Sequence, residues 1–189
     1  MIVRLQEFLV FAGALVACLV LLHYAWRVWN GKAATTNMAS WLMWFVMDVV
    51  IMINTIIVKE PYLLALGFTI GAGSVFLVHL KKGTWKWTGV ETFSVAAATT
   101  AFLAGQVFGG NFGIVIGTTA MVLAGMPALL DLHKRPERTA LPVFAYSSVA
   151  GFLTLLGTLP WSLGASLFPT TSFIWNALVV WLIRPRRVN

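Results

Sequence analysis

The chain has 189 residues, of which 59% are hydrophobic and 10% charged, where an ordinary soluble domain carries about a quarter charged. That composition excludes a water-soluble globular domain. The formal net charge is +7, but all thirteen Lys and Arg lie outside or at the ends of apolar runs, where they act as orientation signals, so no nucleic-acid partner is expected.

A transmembrane helix needs about 20 mostly apolar residues. Seven runs meet that need: residues 8–29, 38–57, 61–80, 91–109, 112–132, 140–159 and 165–183. Their length without strand alternation excludes a spanning barrel. The predicted fold class is therefore an all-α integral membrane protein with seven transmembrane helices, and the loops left over are too short to fold alone.

The first run follows Arg4 and continues to Trp26, Arg27 and Trp29 without a small-residue cleavage pattern, so it is read as a span and not a signal peptide. It holds the single cysteine, Cys18, which can form no intramolecular disulfide, and His23. The second run carries Asp48 near its middle, where an ionised carboxylate costs a few kcal/mol even on lenient insertion scales. At helical period, Asn37, Trp41, Trp44, Asp48 and Thr55 share one face, which is expected to point into the bundle. Two readings of Asp48 stand open: a proton-titrating or solute-binding carboxylate, or a hydrogen-bonded tie between helices. His23 lies about one turn nearer the cytoplasmic end and is a candidate partner in proton coupling, or else a packing residue. His79 and His133, at span ends, read as interfacial.

Gly67 and Gly71 in the third run, and Gly113 and Gly117 in the fifth, have the small-xxx-small spacing that lets helices approach closely. In the sixth run Ser147, Gly151, Thr154 and Thr158 share a face. In the seventh Pro169, Ser172, Trp175, Asn176 and Val179 do. An aromatic ring beside amide and hydroxyl groups suits a neutral polar ligand, although the same groups also glue membrane helices. Trp26, Trp29, Trp41, Trp44, Trp85, Trp87 and Trp181 cluster toward one set of span ends, as an interfacial belt does.

Cation positions orient the bundle. Arg4 and Lys59 fall on the side of the N-terminus, and the other eleven cations fall on the opposite side, so the N-terminus is expected outside and the C-terminus in the cytoplasm. All six lysines lie in loops or at span ends, which excludes a Schiff-base lysine within the last span. No Cys or His pair has metal-ligand spacing, no phosphate loop follows a strand and no nucleophile has a local base. No cofactor, metal or enzymatic activity is expected.

The loop from Gly31 to Trp41 parallels that from Lys134 to Phe144. Each is basic, holds a threonine suited to cap a helix, and opens an apolar helix with an aromatic. Each triplet also ends basic, at Lys81 and Lys82 or at Arg184 to Arg187. The order is three helices, one linker, three helices, with repeats at residues 1–82 and 111–189 and a linker at 83–110, and an odd linker makes the repeat parallel.

This order, with Met126-Pro127-Ala-Leu-Leu-Asp131, Phe144 to Gly151, Phe168-Pro169 and Trp175-Asn176, resembles the SWEET and PQ-loop transporters, the second half most closely. The resemblance implies a hinge at Pro127, with Pro169 as a second, and a solute-binding asparagine at Asn176; Ala128 stands where the family has glutamine, and the first span lacks proline. It further implies alternating access for a small polar solute, a sugar or similar. Asn176, Trp175, Ser172, Thr154, Asp48 and Trp44 are the candidate binding residues, and Asp48 and His23 would couple protons. A non-transporting membrane scaffold or receptor-like subunit is the alternative, and a homo-oligomer is compatible with either.

Overall fold

The computed structural model describes residues 2–33, 38–82, 89–134 and 139–183. Asn37, Trp85, Trp87, Lys86, Arg135, Arg138, Arg184, Arg186 and Arg187 lie outside the described residues, and for Pro127, Asp131 and His133 only the helical backbone is described. Among the described residues the chain forms seven α-helices and no strand: α1 (Ile2–Trp29), α2 (Met38–Ile57), α3 (Leu63–Lys82), α4 (Gly89–Phe108), α5 (Gly110–Lys134), α6 (Leu141–Gly157) and α7 (Leu163–Ile183). Four of them, α1, α2, α3 and α7, are long and apolar enough to cross a membrane. By the same measure α6 and the stretch Gly110–Leu123 of α5 are apolar but shorter. The 28 residues of α1 extend about 42 Å at 1.5 Å per residue, so this helix outruns a ~30 Å hydrocarbon core and includes Arg4 and Glu7.

Exposed side chains explain why water is the wrong solvent. Along α1, Phe8, Phe11, Leu15, Leu19 and Leu22 are all exposed, at steps of three or four residues that make one continuous apolar stripe. Such a stripe is an aggregation liability in water and a matched surface in lipid.

Helix ends are set by local chemistry. Gly31 has φ 67°, and Lys32 N–H donates to Arg27 O at 2.8 Å while Gly31 N–H donates to Val28 O at 3.1 Å, a Schellman close that suits glycine. The same pair of bonds ends α2 around Lys59, at φ 59° without glycine's freedom. Ser162 caps α7, its Oγ accepting from Ala165 N–H at 3.0 Å. The threonine expected to cap the sixth helix does not: the N-cap is Ala140, with no side-chain cap bond and a proline, Pro142, in the first turn. There the pre-set proline φ stands in for the cap.

Packing departs from a sequential ring. Helix α3 packs on both α1 and α2, and α7 packs on both α5 and α6. Between these groups α1 packs on α6 and α2 on α5, while α4 lies against α5 and α2. Glycines permit the closest approaches: a Cβ on Gly67 would run into the backbone of Ala14, and one on Gly71 into Leu21. Gly113 meets Asn54 and Gly117 meets Ile51, so both small-residue pairs are helix contacts. Asn54 is fully buried, donates to Val50 O at 2.9 Å, and rests its Oδ1 against Gly105 of α4 and Gly113 of α5.

Ties at one end of the bundle fix how the helices alternate. Gln6 donates to Leu159 O at 2.5 Å, and Ser162 Oγ to Glu60 Oε1 at 2.5 Å; Gly110 sits against Val58. The start of α1, the α2–α3 turn, the α4–α5 turn and the α6–α7 turn therefore meet at the end that holds Arg4 and Lys59. At the other end Lys82 donates to the carbonyls of Val28 and Trp29, and Lys32, Lys81 and Lys82 stand over the rings of Trp26 and Trp29.

Candidate functional site

Between the helices lies a cavity in which the space open to water centres is about 50 Å³, several times the ~10–15 Å³ that one water needs. Among the described residues, six helices line it and α4 does not. From α2 come Trp41, Trp44 and Asp48, at spacings of three and four residues that put them on one face. From α7 come Phe168, Ser172, Trp175 and Asn176, again one helical face. Helix α3 adds Phe68, α6 adds Phe144 and Ser147, and smaller apolar groups from α1 and α5 close the wall.

Asp48 is 3% exposed, and among the described residues it has no hydrogen-bond or ion-pair partner. No lysine or arginine is among the described residues that line the cavity. On α7 the Asn176 amide N–H donates to Ser172 O at 2.7 Å and reaches Ser172 Oγ at 3.3 Å. Committing both contacts to its own helix turns the Asn176 carbonyl oxygen away from the backbone, and that oxygen has no donor among the described residues. It remains an acceptor for a guest.

The aromatic walls are themselves ordered. Trp41 and Trp44 meet edge to face at 4.9 Å, Trp44 and Phe144 at 6.3 Å, and Phe68 and Phe168 at 5.9 Å. Such pairs hold rings in fixed planes, because a positive edge seeks a negative face. Trp175 is seated on Gly125 of α5, where a Cβ would lie 2.6 Å from its Cζ2. Gly125→Leu is therefore expected to drive the indole into the cavity and remove guest binding, while far-ultraviolet circular dichroism stays helical. Unchanged binding would show that this wall does not shape the site.

Comparison with protein-family models, with curated proteins and with solved structures returns no match. The chemistry has to be read from the geometry itself.

The cavity gathers Asp48, Trp44, Ser172, Trp175 and Asn176 of the six sequence-derived binding candidates. Thr154 is elsewhere: it is fully buried, and its Oγ1 faces Gly13 of α1, about two helical turns beyond Ser147, where α6 lines the cavity. His23 also departs from its expected place. It is exposed on α1 with its ring 5.8 Å from Trp26, and it does not line the cavity with Asp48; an apolar helix without a polar stripe gave no sign of which way it turns.

His79, read as interfacial, is 1% exposed, with Nδ1 2.9 Å from Val75 O and Nε2 without a partner. Its ring lies 6.4 Å from that of Trp41. Trp41 is likewise buried and not part of an interfacial belt. Phe68 and Phe168 went unread, since a phenylalanine within an apolar run carries no signal of facing a cavity. Pro169 lies within α7, where the backbone comes so close to α6 that a Cβ on Gly151 would stand 2.9 Å from Pro169 O.

Proposed function

We propose that the chain is a seven-span membrane transporter of SWEET or PQ-loop type, in which two triple-helix halves, residues 1–82 and 111–189, rock about a central site and α4 serves as linker. The observation that carries this reading is the cavity, whose described lining comes from three helices of each half and not from α4, and which brings together the Asp48 carboxylate and the Asn176 amide. A site shared between two halves changes shape whenever they move relative to each other, which is what alternating access requires. Packing supports the halves, since the third helix of each lies between the other two. The alternation of helix ends supports seven crossings, and Arg27, Lys32, Lys81 and Lys82 at one end support a cytoplasmic placement of that end. The solute is small and polar, and Asp48 couples its movement to protons.

Uptake of a mixed metabolite pool into proteoliposomes, with and without a pH gradient, tests the function. Accumulation above protein-free vesicles that responds to the gradient is expected. A chain that reconstitutes folded and accumulates nothing is a scaffold. Orientation has its own test: a reporter fused after Asn189 is expected to be active only in the cytoplasm, and activity confined to the outer side would reverse the topology.

A further inference from the structure

We infer that the cavity binds a small organic ammonium ion, held by Asp48 and by the faces of the aromatic rings around it. This inference rests on reading the cavity as a ligand site and names its ligand class. Six of the fourteen lining residues are aromatic: Trp41, Trp44, Phe68, Phe144, Phe168 and Trp175. Their π faces are electron-rich, and a cation over such a face gains most when both are out of water. A neutral sugar would make less of this wall, which offers it few hydroxyl and amide partners beyond Ser147, Ser172 and Asn176.

The carboxylate decides between a neutral and a charged guest. Asp48 is buried, uncompensated by any cation in the wall and unpartnered among the described residues. Held away from water, a carboxylate stays ionised only when it is paired and otherwise takes up a proton, so a ligand that brings its own positive charge is a partner that can exchange for that proton. A metal ion does not fit, because hard cations want about six oxygen ligands at short range, and most of this wall is hydrocarbon and ring carbon. An alkylammonium ion satisfies both features at once. Its charge meets the carboxylate, its carbon surface meets the indoles and phenyl rings, and any N–H it carries can reach the Asn176 carbonyl oxygen.

Asp48 then binds either the ammonium ion or a proton, and the two exclude each other. Among the described lining residues it is the one that titrates, since those of α1, α3, α5, α6 and α7 include no acid, base or thiol. Behind Trp41 stand two titratable residues, Tyr24 and His79, whose rings lie 5.6 Å and 6.4 Å from its own. Ligand affinity therefore falls as the pH is lowered through the titration of Asp48.

Equilibrium binding to the full chain in lipid nanodiscs tests this without requiring transport. The probes are tetramethylammonium and tert-butanol, similar in size and shape but different in charge. Tetramethylammonium is expected to bind at least about tenfold more tightly, to lose that advantage in Asp48→Asn, and to weaken in Trp44→Leu more than in Trp44→Phe. Each variant is first checked for an unchanged helical spectrum and a monodisperse elution profile. Equal binding of both probes, unaffected by Asp48→Asn, would overturn the ammonium assignment and leave a ligand site for neutral solutes. Binding of neither probe by the folded protein overturns it as well, and if pool uptake is also absent the transporter reading falls with it. Uptake of a neutral solute without tetramethylammonium binding retires the ammonium ion alone.

Discussion

Replacing Asp48 with asparagine is expected to raise the thermal stability of the protein while removing the dependence of uptake on a pH gradient. The first half follows from what surrounds the residue. A carboxylate that tied helices together would have donors on a neighbouring helix, and losing them would lower stability; Asp48 has none among the described residues. Asparagine fills the same space without a charge to desolvate, and on insertion scales a central aspartate costs about 3 kcal/mol. The second half follows because an amide neither takes up a proton near neutral pH nor pairs with a cation. A group kept in place against stability is characteristic of sites selected for activity. Thermal unfolding and gradient-driven uptake measured on the same preparation separate the cases. A lower melting temperature with an unchanged pH profile would return Asp48 to the role of a helix tie.

The largest loss of stability is expected at the α1–α3 seam. A Cβ on Gly67 would enter the backbone of Ala14, and backbone, unlike the end of a flexible side chain, cannot swing aside. Gly67→Val is expected to cost about 3 kcal/mol, at the upper end for overpacking, and to separate helices whose spacing also sets the position of Leu21 on the cavity wall. Gly89→Ala is the matched control, since nothing lies within 4 Å of its Cβ position; a change within about 0.5 kcal/mol is expected for such a surface site. Equal melting temperatures for the two variants would mean that α1 and α3 do not pack as described.

Much of this site could be read from residue spacing, and the reason is physical. Asp48 stands out because mid-span charge is rare and costly. Once it is placed, the 3.6-residue period carries Trp41 and Trp44 with it, as it carries Ser172 and Trp175 with Asn176. The same period failed for Thr154, because sharing a face with Ser147 does not mean sharing a depth, and the cavity ends before that turn. It failed for His23 because α1 is apolar all round, so its rotation is set by Gly67 and Gly71 of α3 pressing on it and by its own Gly13 lying against α6. His79 was hidden for a related reason. Proximity to Lys81 and Lys82 suggests a headgroup-level residue, but a bundle wider than its seam buries ring nitrogens that lie only a few residues from the basic end.

In the proposed transporter the acid, on α2, and the amide, on α7, belong to different halves. A guest that touches both is a spacer, and its length decides how near the halves can come. Short guests let the walls draw together and release to either side; a guest longer by a few methylene groups would wedge them apart. If the chain transports as proposed, its inhibitors are extended versions of the solute, and their potency is expected to rise with length until the guest no longer fits between Asp48 and Asn176.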